Sequence, residues 1–181
     1  MGEISTHQPV LLICAMVSRY PDALRWGIDQ LIDAYGPVAL ESPVYDFTET
    51  SYYNASMGDD LKKQFVAFET LVDPDAIVDA KRATNQLEQD YIAQHSAPEE
   101  RPLNLDPGYI SQAKLVLATT KDRDHRLYMS KGIYAEVTLF FRKKEWCSSR
   151  WTYPDYQRED FQEYFSQCRT WLKERYRAPR S

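Results

Sequence analysis

The sequence predicts a single α+β domain: a mixed or antiparallel sheet with a C-terminal β-meander, packed against about four helices. Three observations predict it. Val10–Val17 is a continuous apolar run bounded by polar residues, as expected of a central strand buried on both faces. Leu24, Ile28, Leu31, Ile32 and Tyr35 recur at helical spacing after Pro21. Arg126 to Thr152 alternates between turn signals like consecutive antiparallel strands. The chain has 181 residues, within the ~100–200 of one domain, and folding at that length buries roughly 70% of the extended chain's surface. The domain is expected to span 1–181, with an ordered core over 9–176 and a frayed basic tail over 177–181.

The elements follow in order. Pro21 opens the first helix, where a missing N–H costs nothing, and Gly36 stops it. A strand starts near Val38, and Pro43 limits it to an edge or an early end. Tyr45–Gly58 reads as an aromatic-rich loop. Leu61, Phe65, Phe68 and Leu71 line one face of a second helix. Asp73 as N-cap and Pro74 as first residue start a third, with Ile77, Ala80, Thr84, Leu87 and Tyr91 inward and Lys81, Asn85 and Glu88 on an adjoining face. His95–Pro102 is a surface loop, and Asp106-Pro107-Gly108 marks a turn. Ile110–Thr120 carries both strand and helix signals, and a short helix is favoured. A last helix, about Asp160 to Tyr176, buries Phe161, Phe165, Cys168, Trp171 and Leu172.

One hairpin can be read residue by residue. Ser130-Lys131-Gly132 fits a three-residue loop, which pairs Met129 with Ile133, Tyr128 with Tyr134, Leu127 with Ala135 and Arg126 with Glu136. One face then carries Ile133, Ala135, Val137, Leu139 and Phe141 beside Leu127 and Met129. The other carries Arg126, Tyr128, Tyr134, Glu136, Thr138 and Arg142. A two-residue loop would mix the faces. Solvation alone accounts for such a polar face, where an exposed Arg–Glu pair contributes only ~0.2–1 kcal/mol. As the floor of a pocket the pair would be desolvated, and losing one partner would cost ~3–5 kcal/mol.

Composition narrows the function classes. Net charge is −5, split between 6 Lys/Arg against 17 Asp/Glu in residues 1–100, 10 against 5 in residues 101–150 and 6 against 5 in residues 151–181. A basic middle could steer an anionic ligand, or simply attract the acidic half. Cys14, Cys147 and Cys168 lack CxxC spacing and read as buried thiols in a reducing compartment. The longest apolar run falls short of the ~20 residues of a membrane helix and lacks the flanks of a signal peptide, so a cytoplasmic protein is expected. No GxxxxGK followed by Ser or Thr is present, nor GxGxxG, GxSxG or HExxH. Thr120-Lys121-Asp122-Arg123 has arginine where the guanine-reading Asn/Thr-Lys-x-Asp pattern needs aspartate.

Lys121 to Arg126 packs six ionisable groups before the hairpin. Lys121, Arg123 and Arg126 suit phosphate or carboxylate, Arg126 bidentately. His125 has the free pKa for acid–base work, although alternation puts it on the apolar side with Leu127 and Met129. Asp106 and Asp155 sit in turn-forming settings that explain both; facing the polar sheet surface, they would supply a general base or metal ligand.

Several ordered blocks stand together: Glu41-Ser42-Pro43, Tyr52-Tyr53 with Met57-Gly58, Thr84-Asn85 with Leu87-Glu88, Asn104 to Tyr109, Lys114 to Ala118, Lys121-Asp122, His125-Arg126, Gly132 to Thr138 and Thr152 to Tyr156. From Pro9 to Tyr176 they resemble a prokaryotic domain-of-unknown-function family (four-four-one-six), some of whose members carry the label "GTP-binding protein". The resemblance implies a small standalone cytosolic domain and no particular activity. Many residues in the blocks are polar, and Glu41, Asn85, Glu88, Asp106, Lys121, His125, Arg126 and Glu136 are expected to converge beside the 126–142 hairpin.

The leading reading is binding of, or catalysis on, a small anionic ligand, a phosphorylated metabolite or nucleotide. Arg126 and Lys121 hold the anion, Tyr134 and Trp151 stack on a ring, and Glu136, Asp106 and His125 are the candidate catalytic groups. Glu41, Asn85, Arg142 and Asp155 complete the ligand-binding set. No metal or cofactor is indicated. The alternatives are a non-catalytic interaction or homodimeric module using exposed aromatics, and an RNA-binding domain using the basic middle with Arg175, Arg177 and Arg180. The pI of ≈ 5.3 speaks against the last, since nucleic-acid domains commonly exceed ~9.

Overall fold

Nine consecutive residues with no exposed member form β1 (Val10–Ser18), and their uniform burial follows from position. Val10, Leu12, Cys14 and Met16 face one helical layer and Leu11, Ile13 and Ala15 face another. A computed structural model describes residues 2–50 and 52–177. Its strands are β2 (Val38–Glu41), β3 (Tyr45–Asp46), β4 (Lys62–Val72), β5 (Asn104–Ile110), β6 (Lys114–Thr119), β7 (Leu127–Ser130), β8 (Ile133–Arg142) and β9 (Glu145–Ser148). The described residues make one antiparallel sheet ordered β2-β4-β1-β5-β6-β8-β7, with β3 on β4 and β9 on β8. Helices α1 (Pro21–Tyr35) and α3 (Ile77–Gln94) cover one face; α4 (Glu159–Arg177) covers the other. The one-turn α2 (Asn54–Met57) sits in the aromatic loop. The α+β architecture is the expected one. Residues 178–181 of the expected tail lie outside the described residues.

Local chemistry explains several boundaries. Pro21 occupies the first turn of α1, and Gly36, at φ 86°, ends it with its N–H donating to Ile32 O at 2.8 Å. Edge strand β2 stops before Pro43, as expected. Asp73 makes no side-chain cap; Pro74–Ala76 forms a 3-10 turn and α3 begins at Ile77. The inward stripe of α4 gains Tyr164, while Trp171 is half-buried. No helix among the described residues is long and apolar enough to cross a membrane.

Two expectations fail for one reason. The helix expected over Leu61–Leu71 is β4, and the turn at 106–108 with a helix over 110–120 is the β5–β6 hairpin. Both segments are covered on two faces, so residues 63–68 are buried without interruption and period 2 disappears. Pro107 is tolerated within β5. Leu105 turns its N–H and C=O away from β1, so Pro107, two residues on, also points its nitrogen away, and no ladder bond to β1 is lost.

The β7–β8 hairpin keeps the expected pairs Leu127↔Ala135 and Tyr128↔Tyr134 by a different route. Lys131 (φ 52°) and Gly132 (φ 78°) form a two-residue turn of left-handed residues, and a bulge between Tyr128 and Ser130 restores the register. A second bulge, at Thr138, lies between the pairs Val116↔Val137 and Leu115↔Leu139. It inverts the strand's phase. Ile133 and Ala135 join the α1/α3 core, but Leu139 and Phe141 join the α4 core. The single apolar face expected along β8 is therefore two half-faces, and Leu127 is 73% exposed.

Gly108 marks the closest approach of β5 and β6. A Cβ there would lie 2.2 Å from Val116 O. Gly108→Ala is expected to lower unfolding free energy by about 3 kcal/mol, measured by urea denaturation; a loss below the ~0.5 kcal/mol of an ordinary surface change would show that the strands yield freely.

Candidate functional site

Beyond the pair Gly108↔Leu117, β5 and β6 no longer bond to each other; β5 continues along β1 to Asn104 and β6 along β8 to Thr119. The parting leaves the N–H and C=O of Leu105 without strand partners. Helix α3 supplies both. Glu88 Oε1 accepts from Leu105 N at 2.8 Å, and Lys81 Nζ donates to Leu105 O at 2.9 Å and to Asp106 Oδ1 at 2.8 Å. Lys81 and Glu88 lie two helical turns apart, on one side of α3. Arg101 donates to Glu88 Oε2 at 2.7 Å, and Asn104 Nδ2 to Asp106 Oδ2 at 2.7 Å. Lys81, Glu88 and Asn104 are buried, whereas the Asp106 side chain keeps 32% of its surface.

The two carboxyls respond oppositely. Burial alone would raise Asp106, but the charge and hydrogen bond of Lys81, with help from Asn104 and Arg101, hold it down at about 2. Burial lifts Glu88 above the ordinary glutamate range, and Lys81 and Arg101 only partly offset this. Asp106 is therefore a fixed, ionised acceptor.

The same end of the sheet is where α4 stops covering its face. Under α4 the face is apolar, with Leu11, Ile13, Ala15, Ile110, Leu115 and Leu117. Farther along, the register puts Asn104, Asp106, Thr119, Tyr134 and Glu136 at the equivalent positions. Loops replace the helix there. A small cluster of Val17, Phe47, Met57 and Leu61, with Tyr53 against it, anchors the 45–61 segment. Lys63 Nζ meets buried Asp155 at 2.5 Å, 4.3 Å from the Tyr156 ring centroid, and anchors the 149–158 segment. Arg126 ties the third loop, donating to Glu136 Oε2 (2.9 Å), Lys121 O (2.9 Å) and Tyr153 Oη (2.7 Å). His125 Nε2 lies 2.7 Å from Glu136 Oε2, and its ring stacks on Trp151 at 5.3 Å. Lys121 Nζ donates to Tyr52 Oη at 2.7 Å. Burial first, then the charge of Asp106, raises the Tyr53 phenol; burial, Glu136 and Asp106 raise Tyr153. Both phenols stay neutral around Asp106.

His125, Arg126, Glu136, Lys121 and Trp151 thus come together, with Asp106 and Tyr134 on the same sheet face. His125 lies in the turn before β7 against Glu136 and Trp151, not on an apolar side with Leu127 and Met129. Tyr134 packs on Tyr128 at 5.3 Å. Asp155 begins a 3-10 turn and is occupied by Lys63. Three residues lie elsewhere. Glu41, at the end of β2, accepts from Gln64 on β4; five strand steps separate β2 from β8, about 24 Å at the usual spacing. Asn85 sits on α3, behind the sheet, and Arg142 is exposed at the far end of β8, beyond the Thr138 bulge. Lys81, Arg101, Tyr153 and Lys63 are additions. Lys81 and Glu88 were visible as charges beside the apolar stripe of α3, but Lys63, between Lys62 and Gln64 at the polar start of β4, gave no sign of its burial.

Among the described residues no three His, Cys, Asp or Glu side chains gather to hold a metal ion. The arrangement offers an oriented imidazole–carboxylate pair for proton transfer, a fixed anionic acceptor and exposed aromatic rings beside cations. The sequence profile of a family described as a domain of unknown function (DUF4416) matches residues 8–172, and the chain belongs to that family. No curated protein and no solved structure matches it.

Because the folded pKa of Asp106 lies below its ordinary value of 3.8, its ion pair adds stability above that value and loses it as pH falls through about 2. Asp106→Asn is expected to cost on the order of 2 kcal/mol at pH 6, less than a fully buried pair because the side chain is part-solvated. The gap from wild type, followed by urea unfolding, should narrow toward pH 2. A constant gap would contradict the assignment.

Proposed function

We propose that this member of the family binds a small anionic ligand, a phosphorylated metabolite or nucleotide, at the polar, loop-covered end of the sheet that carries Asp106, Tyr134 and Glu136. The observation that carries the reading is the switch from apolar to polar side chains at core-facing positions where α4 gives way to tyrosine-bearing loops. A surface needing only to be covered would have stayed apolar. Exposed Tyr52, Trp151 and Tyr153 supply faces for a ring, as in sites that stack bases. Lys121 and Arg123 are exposed beside them, and Arg150 lies 4.1 Å over Trp151.

Arg126 takes a different role from the anion grip expected of it. Its guanidinium is occupied by Glu136, Lys121 O and Tyr153, so it ties the loops to β8 and leaves Lys121 and Arg123 to meet the anion. If a reaction follows binding, the His125–Glu136 pair is the acid–base element. A net charge of −5 favours a small anion over a long nucleic acid. A second reading, self-association, draws on Leu127, Met129 and Val137, apolar and 73%, 41% and 49% exposed near edge strand β7; a monomeric mass by light scattering would end it.

Thermal shift tests the main reading. A panel of ribonucleotides and sugar phosphates should contain a ligand that, at 100 times its Kd, adds about 2.7 kcal/mol. Trp151→Ala and Lys121→Ala should each reduce that shift while leaving the ligand-free melting temperature within a few degrees. No shift across the panel would overturn the proposal.

A further inference from the structure

We infer that Asp106 recognises the hydroxyl groups of the ligand, which makes the ligand a phosphorylated sugar or polyol bound with its hydroxyls against the part-solvated Asp106 on the sheet and its phosphate at the exposed Lys121 loop. The inference rests on the ligand-binding reading above and gives it a polarity. Asp106 is held from behind: Lys81 binds one carboxylate oxygen and Asn104 the other, and Lys81 is itself fixed by Leu105 O. Both supporting side chains are buried, yet 32% of the Asp106 side chain stays open. A carboxylate has about four lone-pair sites, so two donors leave capacity on the open side. An ionised acceptor in that position takes hydroxyl or amine donors and repels phosphate.

The cations that can meet phosphate lie elsewhere. Counting from Gly108↔Leu117, Asp106 stands across from Thr119, and Lys121 lies two residues beyond. One strand spacing and two residues of rise give a separation of at least about 8 Å, comparable with the length of a phosphorylated pentose. Neutral Tyr53 and Tyr153 flank the path and can share hydrogen bonds with ring hydroxyls. A dicarboxylate or a bare anion would leave Asp106 facing a like charge or nothing.

Calorimetric titration with ribose 5-phosphate and with inorganic phosphate separates the possibilities. Wild type should bind ribose 5-phosphate at least about tenfold more tightly than phosphate, as expected for one or more hydrogen bonds to a charged acceptor. Asp106→Asn should lose that preference without weakening phosphate binding, while Lys121→Ala should weaken both probes. Because Asp106→Asn strands the Lys81 charge, the pair Lys81→Met/Asp106→Asn, with its fold checked by circular dichroism, repeats the test. A sugar preference that survives in both variants, or no preference in wild type, overturns this inference alone. No binding of either probe overturns this inference, and the absence of any shift across the ribonucleotide and sugar-phosphate panel overturns the ligand-binding reading with it.

Discussion

The Lys81 ammonium, 4% exposed, is the contact on which the rest of the site depends. Burying an ammonium costs several kcal/mol unless it is matched, and here a backbone carbonyl and a carboxylate match it from the two sides of a parted sheet. Asp106 and Glu88 hold its pKa up against the opposite pull of burial. Without the parting, Leu105 would bond to β6 and Lys81 would have no route to Asp106. Without Lys81 and Glu88, the Leu105 N–H and C=O would be buried and unpaired, at about 1–3 kcal/mol for each group. Strand geometry and charge network therefore require one another, and Gly108 sets where the parting begins.

What forms above this floor is held by contacts of different strength. The Lys63–Asp155 pair sits among Phe47, Phe65, Tyr156 and Phe161, so it is shielded from water and fixes the 149–158 segment to β4. Arg126 is held at three points. Lys121–Tyr52, by contrast, is exposed and contributes little to folding. The three loops are thus held firmly where they meet the sheet and loosely at their outer edge.

Much of this was legible in the residues. β1, α1 and α4 announce themselves by run length and period, and the Arg126–Glu136 pairing follows from hairpin register alone. β4 and the β5–β6 hairpin were not, because burial on both faces erases the alternation that distinguishes strand from helix. The candidate site divides along similar lines. Arg126 and Glu136 were readable from one local hairpin, whereas the same alternation put His125 on the apolar side, away from the Glu136 it meets. Asp106 was visible as polar but misread as a turn residue, since Pro107-Gly108 resembles a turn wherever the strand partners are unknown. Glu41 and Arg142 were grouped with the site although the sheet separates them, Arg142 through a bulge at Thr138 that no residue type signals.

Hydrogen exchange at the Leu105 amide tests the central claim most directly, because that N–H bonds to a side chain of α3 and not to a strand. In wild type it should exchange slowly. Glu88→Ala should accelerate it about ten- to hundredfold, the worth of a hydrogen bond to a charged group, while the Tyr109 amide, in the paired part of β5, stays protected. Unchanged protection at Leu105 would mean that β6 holds the strand there and that the two strands do not part.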